Sequence, residues 1–379
     1  MVQMVFVHGV ATRTSPAYDQ EEKNRDKLFK EVLFRGANPA LNIRAPRWGD
    51  LVPEMANKGA SFEGDRVGSS YAALAPAQDF EVQGAAMAEL TRADPRAAID
   101  AIYATAVDRA DRRNEDLTDD DIRAFRAVVR GLAGEAAPAV PDSATDEELV
   151  LNLGAMGASG SYGAIGDKLK RAVAALADRA RNTVSTGVSN AFRDDLNPLV
   201  GRFLGDIFVY LKADDAQAVG TRGRIRERVV ADIEAAHADA KAANDKLVLV
   251  GHSLGGVILY DLLSSPAGSG LPADLKVDLL LTVGSQPGFF EEMRLFDFKR
   301  PAGAASTPRP ASVAAWHNVF DPIDVFGFPV TPMFADASDF KFDSVTGLLS
   351  AHTTYFKRPQ FYARARKRLE DLGLVPKPQ

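Results

Sequence analysis

The chain has 379 residues, 46% of them hydrophobic, enough to bury a large core as one domain or as a domain with a cap. A formal net charge of −6 and a pI near 5.5 argue against the basic face of a general nucleic-acid binder. The absence of cysteine excludes disulfides, thiolate chemistry and cysteine-ligated metals, and fits a reducing compartment.

Val2 to Val7 is an apolar run ending in His8-Gly9-Val10 and reads as a buried parallel strand. The opening residues lack the features of a secretory leader, and no stretch approaches the roughly 18–20 apolar residues of a spanning helix. A cytoplasmic protein is expected. Glu21 to Phe34 has helical spacing, and Leu41 to Pro46 suits a short second strand. From Pro53 to Ala93 the alanine- and glycine-rich sequence gives few signals.

Asp94-Pro95 is an N-cap and first-turn pair leading into a helix from Ala97 to Arg112. Thr118 opens another through Arg130, with Gly131 and Gly134 as stops. Ala136 to Glu147 reads as a mobile loop. Ile165 to Phe192 carries an apolar stripe of Ile165, Leu169, Val173, Leu176, Val184, Val188 and Phe192, with Lys168, Lys170, Arg171, Arg179 and Arg181 elsewhere. The stripe suits a helix packed on a core. That reading is the favoured one, and the stripe's basic partners also allow an amphipathic lid resting on an anionic membrane surface.

Phe203–Leu211 and Ile225–Ala236 lead back to strand-like sequence at Leu247–Val250, then a helix over Leu254–Leu263. Further strands are expected at Val277–Val283 and Ala311–Phe320, and a basic helix over Pro359–Leu372. Strands alternating with helices predict a three-layer α/β/α, doubly wound, mostly parallel sheet. Residues 1–52 and 201–379 form its core, and 53–200 a large, mostly helical cap insertion.

Between the strand and helix near 250 stands Gly251-His252-Ser253-Leu254-Gly255. Such a turn strains the central residue and presents its side chain, exposed, above the sheet edge. The glycines are required where helix and strand backbones pass too close for a Cβ. Ser253 is the candidate nucleophile, and the Leu254 N–H, at a helix N-terminus, is one oxyanion donor. The Val10 N–H, beyond Gly9 at the same sheet edge, is the second.

An activated serine needs a base and an acid to orient it. Of five histidines, His252 is beside the serine on the wrong side of the turn, and His237 lies on an alanine-rich polar helix expected to be solvated. His317 falls inside a strand with a core role, and His8 precedes the serine. The base is therefore His352, in a loop before the final helix. The acid belongs between serine and histidine, where Asp321 ends a strand and Asp324 lies in the turn beyond Pro322. Asp324 is preferred, with Asp321 as the alternative and the unused carboxylate capping the turn.

These residues resemble the α/β-hydrolase superfamily, in particular its lipase and carboxylesterase branch. Gly251-His252-Ser253-Leu254-Gly255-Gly256 resembles the lipase nucleophile elbow, and His8-Gly9 the oxyanion strand. Asn318 through Val325 is similar to the acid-bearing segment of bacterial lipase-like hydrolases and DDHD-type phospholipases, where the aspartate before an apolar pair is the triad acid. His352 with Tyr355 resembles their closing histidine-x-x-tyrosine segment. The resemblance covers residues 1–50 and 200–370, and lacks the antiparallel first strands of the full fold. It implies a serine hydrolase of acyl or lipid esters that needs no metal or organic cofactor. The alternatives are a thioesterase or peptidase on the same fold, or a binding protein without turnover.

Overall fold

The computed structural model describes residues 2–36, 41–53, 86–134, 142–157, 163–182, 201, 203–212, 221–298, 300, 303–342 and 348–377. Six strands form one sheet: β1 (Val2–Val7), β2 (Asn42–Arg44), β3 (Lys246–His252), β4 (Val277–Val283), β5 (Val313–Phe320) and β6 (Ala337–Lys341). Their order is β2-β1-β3-β4-β5-β6, and every neighbouring pair is parallel. Helices cover both faces, so the protein is α/β with a single parallel sheet.

The two-residue period of the strands divides their side chains between two cores. Met4 and Phe6 of β1, with Val248 and Val250 of β3, face one side. Val5, Val7, Leu247 and Leu249 face the other. Both faces are apolar because both are covered, as a parallel sheet requires.

On the first face lie α1 (Pro16–Leu28), which runs into a π-helical turn (Phe29–Leu33), and a set of helices from the insertion. These are α2 (Ala86–Ala93), α3 (Pro95–Arg112), α4 (Asp119–Ala133), α5 (Asp146–Gly157) and α6 (Gly163–Asn182). Ile99, Ile102, Phe125, Val128, Leu169 and Val173 join the same buried cluster as Met4 and Phe6. The described part of the insertion thus extends the sheet's own core. Leu169 and Val173 are fully buried, and Lys168 is buried on Asp121 at 2.5 Å, so this half of the stripe faces protein. Val184, Val188 and Phe192 lie outside the described residues.

The second face is covered by α7 (203–211), α8 (Thr221–Ala243) and α9 (Leu254–Ser264). Short helices α10 (Pro266–Ser269), α11 (Pro287–Glu292) and α12 (Leu348–Thr353) follow, and α13 (Pro359–Asp371) returns to the first face. No described helix is long and apolar enough to cross a membrane.

Several expectations need correction. Gly131 does not stop α4, which runs to Ala133 with Gly134 as its C-cap. Of the loop expected at 136–147, residues 136–141 lie outside the described set, and Asp146 already opens α5. Its Oδ1 accepts the Met87 and Ala88 N–H groups at 2.8 Å each. Strand β6 was not expected. It is a half-exposed edge strand without an apolar run.

The register levels the carboxyl ends of the central strands. Val7 lies opposite Gly251, and His252 opposite Val283. β1 is followed in space by β2 on one side and β3 on the other, so the strand order reverses there. In open parallel sheets the crevice outside the carboxyl ends at such a reversal is where ligands bind. Gly9 and Ser253 stand at that crevice.

Candidate active site

Ser253 sits between β3 and α9 with φ 51° and ψ −129°, a conformation that L residues rarely adopt. The surroundings hold it there. Its N–H donates to Val283 O at 3.1 Å, and its carbonyl accepts from the Gly256 N–H at 3.1 Å and the Ser285 hydroxyl at 2.6 Å. A Cβ on Gly251 would stand 2.5 Å from the Gly256 Cα, and one on Gly255 2.1 Å from the Val7 carbonyl oxygen. Both glycines are therefore obligatory, as expected. Ser285 had no recognisable signal in the sequence, since only the folded turn brings it to the elbow.

The serine is not exposed above the sheet edge. Ser253 is fully buried and faces a cavity of about 420 Å³, whose wall also includes Gly9, Val10, His252 and His352. A Cβ on Gly9 would lie 2.7 Å from that of Ser253, so the end of β1 packs directly on the elbow. Val10, one of the two expected oxyanion donors, lines the same cavity, and Leu254, the other, is the first residue of α9 after Ser253.

His352 is on the short helix α12 rather than in a loop, and is buried. Its Nδ1 lies 2.9 Å from Asp324 Oδ2 and 3.1 Å from Oδ1. Donation from Nδ1 to the carboxylate leaves the Nε2 lone pair as the basic site. Among the described residues the Ser253 Oγ has no hydrogen-bond partner, so the serine–imidazole bond is not closed. Such bonds are often long before substrate binds. The Phe203 ring edge and Phe326 pack on the imidazole at centroid distances of 6.2 and 5.2 Å.

Of the two candidate acids, Asp324 meets the histidine. It is buried, accepts the Phe326 N–H at 2.9 Å and takes the Tyr355 hydroxyl at 3.0 Å. A Cβ on Gly284 or Gly327 would each stand 3.0 Å from its Oδ2, so two glycines make its room. Asp321 accepts the Ile323 N–H at 3.0 Å and caps the turn. Its own N–H donates to the Tyr355 oxygen at 2.8 Å. Tyr355 thus bridges both aspartate segments. Burial first, then the Asp324 charge, pushes its phenol well above the usual range.

The remaining histidines are structural. The His252 Nε2–H donates to the His352 carbonyl at 2.9 Å, and burial holds its pKa down to about 3. His8 stacks on Trp48 with centroids 4.9 Å apart, and burial lowers it likewise to about 3. His237, expected to be solvated, pairs with Asp274 at 3.3 Å. His317 is half-buried on β5, edge-on to Phe340.

Sequence reasoning missed Asp206. This buried carboxylate on α7 accepts the Ala11 N–H at 2.7 Å and holds the Arg13 fork at 2.8 and 3.2 Å. Ala11 has φ 59°, so the contact fixes the strained loop that follows Gly9 and Val10. No protein-family model, curated protein or solved structure matches this chain.

Proposed function

We propose that the protein is a serine hydrolase of carboxylic esters, built as an α/β-hydrolase, with Ser253 as nucleophile, His352 as base and Asp324 as the orienting acid. The observation that carries this reading is the buried Asp324–His352 pair at 2.9 Å on the same cavity wall as a serine strained at φ 51°. A structural serine has no need of such a conformation.

In the reaction, Nε2 of His352 takes the Ser253 proton as Oγ attacks the ester carbonyl. The carbonyl oxygen becomes an alkoxide held by the Val10 and Leu254 N–H groups. Asp324 keeps Nδ1 protonated and stabilises the imidazolium, which then protonates the leaving alcohol. Water, deprotonated by His352, attacks the acyl-enzyme, and collapse of the second alkoxide returns the proton to Ser253.

Mass spectrometry after treatment with a fluorophosphonate probe tests the nucleophile without a chosen substrate. A single adduct on Ser253, absent from Ser253→Ala, is expected, with ester turnover in the variant reduced at least about 10³-fold. An unmodified wild-type protein, or full turnover in Ser253→Ala, refutes the reading.

A further inference from the structure

The cavity that holds Ser253 has a second wall with different chemistry. One face of α1 supplies Tyr18, Glu21 and Arg25, and α3 supplies Asp108 and Asp111, with Lys357 between them. Lys357 is buried and donates to Asp108 at 2.9 Å, lies 3.0 Å from Asp111 and reaches Glu21 at 3.5 Å. The Arg25 guanidinium covers the Phe6 ring at 3.8 Å and is held by Asp26 at 2.7 and 3.0 Å. These charges satisfy one another, so they form a polar wall without a free counter-charge. The rest of the lining is largely apolar, with Phe6, Leu28, Val107, Phe203, Phe326 and Phe356, so only the charged wall itself resists an alkyl chain, which would strip its water and return no hydrogen bond.

One polar group on this wall is left over. The Tyr18 hydroxyl is shielded from water and has no hydrogen-bond partner among the described residues. The Arg25 charge beside it opposes the rise that burial causes, yet the phenol stays raised to about 12 and the geometry closes no hydrogen bond between the two groups. Tyr18 therefore remains a neutral donor. Its ring stands edge-on to His8 at 5.7 Å, and His8 adjoins Gly9, on which Ser253 packs. The donor and the candidate nucleophile line the same cavity.

Building on the hydrolase reading, we infer that the site selects esters carrying a second oxygen acceptor, received by the Tyr18 hydroxyl beside Arg25. A buried donor left unpaired by the wrong substrate is a strong basis for discrimination.

The test uses four esters: methyl butanoate, methyl 3-hydroxybutanoate, 2-hydroxyethyl butanoate and methyl hexadecanoate. The middle pair places the extra oxygen on either side of the scissile bond. At least one of them is expected to exceed both plain esters, methyl butanoate and methyl hexadecanoate, about tenfold in kcat/KM. Tyr18→Phe should reduce the oxygenated-to-plain ratio about tenfold. Calorimetric binding of the intact esters to Ser253→Ala, with and without Tyr18→Phe, reads the same ratio without turnover. A plain ester, butanoate or hexadecanoate, turned over as well as both oxygenated ones, or a ratio indifferent to Tyr18→Phe in both measurements, overturns the pocket assignment and leaves the hydrolase reading standing. Tyr18-dependent binding without turnover or Ser253 labelling overturns the hydrolase reading and leaves the pocket.

Discussion

Asp324 and Asp321 are three residues apart and both buried, yet only one carboxylate reaches the imidazole. Asp324→Asn preserves shape but removes the charge that fixes the His352 tautomer, so kcat should fall about 10⁴-fold. Asp321→Asn should cost less than about tenfold, since its contact is with a turn N–H. Ester hydrolysis rates of the two variants separate the roles. His8 and His252 give a second residue-scale expectation. Burial holds both near 3, whereas an unfolded imidazole titrates near 6.5. The unfolded chain therefore binds protons first as pH falls. Their contribution is complete above about pH 6.5 and is lost on the way down to about pH 3. Between pH 7.5 and 5 each should remove about 2 kcal/mol of stability. Urea midpoints across that range should show the loss, with a shallower slope in His8→Gln or His252→Gln.

At the scale of elements, the elbow depends on how β1, β3 and α9 approach one another. A methyl group on Gly255 would meet the Val7 backbone carbonyl, which has no side-chain freedom to yield. Gly255→Ala is expected to cost at least about 3 kcal/mol in thermal or urea denaturation. α7 contributes through Asp206, which ties the loop after β1 to the helix carrying Phe203 over His352. Asp206→Ala should lower kcat and the rate of fluorophosphonate labelling together, about 10- to 100-fold. Asp206→Asn, which can still accept the Ala11 N–H, should recover part of the loss. A purely structural role would lower the melting temperature without changing the labelling rate of the folded protein. Much of this scale was readable in the sequence. The glycines around Ser253, the apolar strands and the Asp-Pro cap of α3 each act over a few residues, so local pattern carried them. Asp206 offered one signal that was not used, a carboxylate between Phe203, Ile207 and Tyr210 on a buried helix face. Ser285 and Tyr18 offered little, because their roles come from segments brought together only by the fold, and Tyr355 was legible only as the partner of His352 in the closing histidine-x-x-tyrosine segment, not as the bridge between the two aspartates. β6 escaped because an edge strand needs no apolar run.

For the whole molecule, the insertion and the sheet share one core. Asp100 of α3 and Arg358, at the head of α13, are both about 1% exposed and pair at 2.9 Å. The Asp100 carboxylate also accepts the Gln360 N–H at 2.8 Å. Asp100→Ala would take the opposing charge from a buried guanidinium, and a loss of about 3–5 kcal/mol is expected in urea. Trp48 and Trp316 report from the opposite face of the sheet, and far-ultraviolet circular dichroism reports on the helices. The two transitions should coincide if the described helices of 86–182 and the sheet unfold as one unit.

The members of the proposed triad arrive in a fixed sequence during synthesis. Translation delivers Ser253 about a hundred codons before His352, whose ring is held by Asp324, made in between. A growing polypeptide halted anywhere in that interval would carry a bent, unassisted alcohol, inert toward the cell's own esters. Reactivity would switch on only once the later segment had emerged and docked.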